Sequence, residues 1–214
     1  MRMKDLKELS DKYHAKKDDI KKRLNDFQKV LDLPDEKIFS ELAFCIFTPQ
    51  SKAKLCWSAV ETLQTKGLLL NGSQEELLKF LTGIRFPFNK AKYLVEARNY
   101  FSYNGEMKIK EKILDKDVKK LREFLVENLK GFGMKEASHF MRNVGLGKDL
   151  AILDRHILKN MKEFGIIDEI PKTLTQKKYL ETESKLKEFS EKIQIPMDEL
   201  DLLFWSEETG EIFK

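Results

Sequence analysis

Apolar residues recur at helical spacing along almost the whole chain, and no stretch alternates apolar and polar as a half-buried strand would. "DIKKRLNDFQKVLDL" places Ile20, Leu24, Phe27 and Leu31 on one stripe. "EKIFSELAFCIFT" is apolar on most sides and stops at Thr48-Pro49, which predicts a buried helix ended by proline. "SQEELLKFL" opens with a capping box, Ser73 followed by Glu76. "NKAKYLVEARNYF", "DVKKLREFLVENL", "HILKNMKEFG" and "QKKYLETESKLKEFSEKI" continue the pattern, and "PMDELDLLFW" opens on a proline. The fold class is all-α, with roughly ten helices joined mostly by short loops.

Charge limits what such a bundle does. Lys and Arg number 40 against 36 Asp and Glu, a net charge of +4, so a nucleic-acid partner is compatible but not demanded. Two cysteines, Cys45 and Cys56, are too few for a disulfide framework or an iron–sulfur cluster held by this chain alone. The N-terminal stretch is charged throughout and does not read as a signal peptide, and no apolar run approaches the ~18 residues of a membrane span. A cytoplasmic protein with no membrane partner is expected.

Only 10 glycines occur in the chain, and Gly131, Gly133, Gly145 and Gly147 crowd one region of it. "LKGFGMKEASHF" has the form L-x-G-x-G-x-x-x-A between two amphipathic helices, the pattern of a helix-hairpin-helix turn. Glycine at 131 and 133 permits a tight bend and leaves backbone N–H groups uncovered, which at a helix start form a site for a phosphate oxygen. Lys130 adds positive charge beside it, and Ala137 lets the two helices approach. An ordinary helix–helix corner with a glycine cap fits the turn equally well.

Lys135 lies in the first turn of the following helix, where the dipole makes a positive charge least welcome. Farther on, Asp154 in "AILDRHILKNM" falls at the N-cap of another helix whose apolar face is Ile157, Leu158, Met161 and Phe164. Taken singly, one is a surface lysine and the other a favoured cap. Together, near a phosphate-binding turn, they suit nucleophilic chemistry on a sugar. A lysine nucleophile must be unprotonated, and desolvation, a helix dipole and nearby cations all favour the neutral amine. A carboxylate alongside stabilises positive charge developing on a sugar as its base departs.

These residues carry a family resemblance. "LKGFGMKEASHFMRNVG" followed by "LAILDRHIL" resembles the helix-hairpin-helix (HhH-GPD) DNA glycosylase superfamily, and more closely the archaeal-type 8-oxoguanine DNA glycosylase/lyases. "ELAFCIFT", "KAKYLVEAR", "DEIPKTLT", "LDLLFW" and the final Lys214 agree with that family. The resemblance implies a single two-lobed helical unit over 1–214, with one lobe at about 38–118 and the other formed by 1–37 and 119–214. DNA would cross the cleft between them. It further implies a monomer that extrudes 8-oxoguanine from double-stranded DNA into a pocket, with no metal or organic cofactor, and a place beside the nucleoid in a prokaryote. Lys135 would be the nucleophile at the sugar C1′, forming a Schiff base and then nicking the strand by β-elimination. Asp154 would be the essential carboxylate.

By the same resemblance, Trp205 contacts the flipped base, the carboxylate of Lys214 accepts the N7–H that guanine lacks, and Asp201 adds a pocket contact. Gln50 fills the vacated stack, while Arg85, Phe86 and Phe88 serve as wedge or opposite-strand contacts. Lys130, Gly131 and Gly133 hold phosphate. The chain departs from the family at Pro49-Gln50, closer to endonuclease III-like members, and at Ser206, where tyrosine often follows the tail tryptophan. Two other readings stand beside this one. The first is a superfamily glycosylase for oxidised pyrimidines or alkylated purines; the second is a non-catalytic DNA-binding module.

Overall fold

The computed structural model describes residues 5–214. It opens with a long helix, α1 (Leu6–Gln28), capped by the Asp5 carboxylate and followed by a 3₁₀ turn, Lys29–Asp32. Then come α2 (Asp35–Phe47), α3 (Ala53–Thr65), α4 (Leu68–Asn71), α5 (Gln74–Leu78) and α6 (Pro87–Phe101). After a two-residue hairpin, β1 (Ser102–Tyr103) and β2 (Glu106–Met107), follow α7 (Ile109–Ile113), α8 (Val118–Asn128), α9 (Met134–Asn143), α10 (Arg155–Glu163), α11 (Gln176–Ile193) and α12 (Met197–Thr209).

Local chemistry accounts for most boundaries. The Ser73–Glu76 capping box forms in both directions. Every residue of α2 from Ile38 to Phe47 is buried, as an all-round apolar helix requires. α6 begins two residues before its apolar run suggests, because Pro87 takes the first helical position, where a missing N–H costs nothing. The hairpin departs from the strand-free expectation. Its turn, Asn104-Gly105, has positive φ at both residues (50° and 82°), the geometry that Asn-Gly favours for a two-residue connection. The flanking strands are too short to produce an alternating pattern.

Two apolar cores form. One gathers α2 to α7 with the inner faces of α8 and α9, centred on Phe39, Phe44, Phe47, Phe101 and Phe140. The other gathers α1 with α10, α11 and α12, centred on Ile20, Phe27, Met161, Leu200, Leu203 and Phe204. The N-terminal helix thus packs with the C-terminal ones. α9 contributes to both cores, Phe140 and Met141 to the first and Met134 to the second. Its start therefore lies on the seam between them. Among the described residues no helix is long and apolar enough to cross a membrane.

Candidate active site at the seam

The turn from α8 to α9 is shaped by Gly131. Its φ is +80°, and a side chain there would meet the Tyr93 ring of α6 at 2.6 Å, so glycine is required for conformation and for space. Lys130 reaches back to α6 as well, with Nζ 3.5 Å from Glu96. Gly133 is the N-cap of α9, and its N–H is held at 3.2 Å by the carboxylate of Glu136. In this structure that carboxylate occupies the donor that the phosphate expectation assigned to a ligand. The other Glu136 oxygen lies 3.5 Å from Lys135 Nζ. Lys135 is partly buried, and Ala137 is fully buried where the two helices close.

Asp154 caps α10. Its Oδ1 accepts from the N–H groups of both His156 and Ile157 at 2.8 Å, which leaves Oδ2 open among the described residues. The approach to this cap is anchored by α11. Tyr179 donates its hydroxyl hydrogen to Ala151 O (2.6 Å) and accepts from Leu153 N (3.2 Å). Glu183 accepts from Ala151 N at 2.8 Å and is gripped by both guanidinium nitrogens of Arg122. Residues 150–153 are thereby fixed and Asp154 is aimed.

The charges of Lys135 and Asp154 both reach the carboxyl of Asp201 on α12. Burial pushes that carboxyl up to about 7; Arg142 and Lys135 pull it down, while Asp154 and Asp198 push it further up. Arg142 donates to Asp201 at 2.6 Å, so the bond the structure gives Asp201 holds α9 to α12. Arg142 also donates to Asn143 Oδ1, and Asn143 donates to Glu41 on α2 at 3.1 Å. Glu41 in turn receives the Lys214 ammonium. A single buried chain of polar contacts thus runs Asp201–Arg142–Asn143–Glu41–Lys214 across both cores.

The tail completes the seam. Phe213 meets Phe44 edge-on and its carbonyl accepts from Arg23 at 2.5 Å. The Lys214 ammonium sits 3.4 Å above the Trp57 ring centre, buried. Burial lowers its proton affinity and Glu41 restores part of it. His139, one turn beyond Lys135 on α9, is buried against Phe44, and neither ring nitrogen has a partner at hydrogen-bonding geometry. Burial drives its pKa well below the usual histidine value, helped by Arg142, Lys135 and Lys214, so it is neutral. Trp205 is half-buried, edge-on to His156 beside the Asp154 cap.

The expected wedge residues gather in the turns beyond the C-terminal end of α2 and before α6. Gln50 and Phe86 both adopt positive φ (56°), which costs about 1–3 kcal/mol for a residue with a side chain. Phe86 and Phe88 are 51% and 69% exposed, unusual for phenylalanine on a protein with well-formed cores. The Arg85 guanidinium lies over the Phe86 ring. Glu41, His139, Trp57, Tyr179 and Glu183 carry no sequence signal of this role, since their partners lie far off in the chain or are the tail itself.

A glycine-turned helical hairpin that brings a lysine to the seam of a two-core helical protein, with exposed phenylalanines nearby, is the architecture of a helix-hairpin-helix DNA glycosylase. The family model described as 8-oxoguanine DNA glycosylase matches residues 20–195. An 8-oxoguanine DNA glycosylase/AP lyase of Fusobacterium nucleatum is 47% identical over 97% of this chain and 96% of its own. A crystal structure of the Methanocaldococcus jannaschii 8-oxoguanine glycosylase/lyase, in complex with a 15mer DNA containing 8-oxoguanine, superposes with a TM-score of 0.88. The two chains are 38% identical, and the match covers 98% of this chain and 99% of that one. The 8-oxoguanine DNA glycosylase of Thermotoga maritima gives 0.83 at 35% identity, covering 98% of each. The chain belongs to the 8-oxoguanine DNA glycosylase family.

Proposed function

We propose that this protein is a DNA-repair enzyme that removes 8-oxoguanine from double-stranded DNA and then nicks the strand. The observation that carries the reading is the near full-length superposition on a relative bound to lesion-containing DNA, with Lys135 and Asp154 at two helix starts on the seam. Lys135 Nζ, once unprotonated, attacks the sugar C1′; the C1′–N9 bond breaks and its electron pair leaves with the base. Ring opening gives the Schiff base. Loss of a C2′ proton then expels the 3′ phosphate, which is β-elimination. Asp154, with Oδ1 committed to its helix, offers Oδ2 to the positive charge developing on the sugar.

Lesion choice falls to the tail. The backbone end of Lys214 faces His139, and its carboxylate is the acceptor for the N7–H of 8-oxoguanine; guanine presents another acceptor there and is refused. Trp205 flanks the pocket. Asp201 acts by holding Arg142. Lys130 and the Gly131–Gly133 turn take DNA phosphate, with Glu136 displaced from the Gly133 N–H. Gln50, Arg85, Phe86 and Phe88 fill and wedge the stack left by the extruded base.

Borohydride trapping tests this reading on a duplex with one 8-oxoguanine opposite cytosine, with abasic and undamaged duplexes alongside. A covalent adduct on the lesion duplex that Lys135→Gln abolishes, while lesion binding persists, is the expected result. An adduct with the abasic duplex alone would keep the lyase and reopen the choice of base. Binding without any adduct would leave only a DNA-binding module.

A further inference from the structure

Lys90 lies on the first turns of α6 and takes no part in the chemistry above, yet its ammonium is buried. It has three N–H donors, and the structure supplies three oxygens: Phe47 O at 2.7 Å, Pro49 O at 2.7 Å and Ser51 Oγ at 3.0 Å. All three belong to the end of α2 and the turn that carries Gln50. An ammonium on the last carbonyls of a helix also suits the negative end of its dipole. The backbone N–H of the same residue donates to Phe86 O at 3.1 Å. That N–H makes the first-turn hydrogen bond of α6, as any residue there would, while the Lys90 side chain grips the Gln50 turn.

A second tie runs parallel. The N–H of Arg85 donates to Ser51 Oγ at 3.0 Å, so the hydroxyl that receives Lys90 also receives the wedge loop. Both non-glycine residues with positive φ in this region, Gln50 and Phe86, sit directly beside these bonds. Conformations that a side-chain-bearing residue avoids persist only when their surroundings over-determine them. Here the surroundings are one buried cation and one hydroxyl. Burial lowers the amine to about 8, with Lys135 and Arg85 acting in the same direction and Cys56 and Glu136 opposing them.

We propose that Lys90 is the positioning residue that makes the Gln50 turn and the Arg85–Phe88 loop one rigid unit, set in advance to enter the DNA stack as the base leaves. The inference rests on the wedge role proposed for those loops. Its consequence falls on extrusion of a paired, stacked base rather than on the lysine chemistry. An abasic site has no base to unpair, so the demand on a preset wedge is smaller there.

The test compares Lys90→Met and Ser51→Ala with the parent protein on two duplexes under single-turnover conditions. One carries 8-oxoguanine opposite cytosine with 2-aminopurine beside it; the other carries an abasic site at the same position. Lys90→Met, which keeps the stem and removes the donors, is expected to slow base release and the 2-aminopurine rise on the order of 10²-fold. Trapping on the abasic duplex falls far less. Ser51→Ala shows the same selectivity at smaller size, and decides the matter if Lys90→Met does not fold. Equal losses on both duplexes, or no loss on the lesion duplex, overturn the role of Lys90. Gln50→Ala and Phe86→Ala separate the two ideas. If neither impairs the lesion duplex, the wedge reading fails and takes this inference with it. If they impair it while the Lys90 and Ser51 variants do not, only the inference fails.

Discussion

Asp154 caps α10 with Oδ1 through two short bonds, and the proposed chemistry gives its Oδ2 a second task at the sugar. Substitution separates the tasks, because asparagine caps a helix about as well as aspartate, whereas alanine costs about 1 kcal/mol. Asp154→Asn is therefore expected to melt within a degree or two of the parent while base release falls about 10²-fold or more. Asp154→Ala adds the stability loss. Thermal unfolding followed by circular dichroism, beside single-turnover excision, checks both halves; an active Asp154→Asn would reduce this residue to a cap.

At the scale of elements, the proposed catalytic pair is legible because each member sits at a local landmark. Glycines in a short window mark the start of α9, and a capping residue before an apolar stripe marks the start of α10. The tail is the opposite case. Phe213 and Lys214 look like a frayed end, and only folding brings Glu41, Phe44 and Trp57 around them. Lys90 likewise reads as one more solvated lysine on an amphipathic helix until its three oxygens, about forty residues earlier in the chain, are seen. On the proposed roles, with the tail reading the base and Lys135 cutting the sugar, their losses should separate. Deletion of Lys214 is expected to erode the preference for 8-oxoguanine over guanine roughly 10- to 100-fold, the worth of a hydrogen bond to a charged group. Cleavage at a bare abasic site should change much less. Matched losses on the two substrates would mean that the tail only stabilises the seam.

Across the molecule, α9 joins the two cores and carries the buried imidazole between them. The pH dependence follows from which state takes the proton. His139 stays neutral in the folded protein, while the unfolded chain binds a proton near the ordinary histidine value of ~6.5. Its contribution is therefore present above that pH and lost as pH falls below it, at up to about 1.4 kcal/mol per unit. Asp201, whose folded value is raised to about 7, works the other way and loses its contribution as pH rises towards 7. Denaturant unfolding of the parent and of His139→Gln between pH 7 and 5 isolates the first effect, since Asp201 is common to both. The parent is expected to lose more stability on acidification than the variant. Parallel slopes would mean that His139 is protonated in the fold.

The burial of Lys214 also has a practical side. An affinity handle fused after that residue would start from a buried residue whose ammonium is held by Glu41 over Trp57, and would strain those contacts to reach a resin. Purification that way would select molecules whose tail is already displaced from Glu41 and Trp57. Asp5, the first described residue, is exposed and lies far along the chain from these contacts.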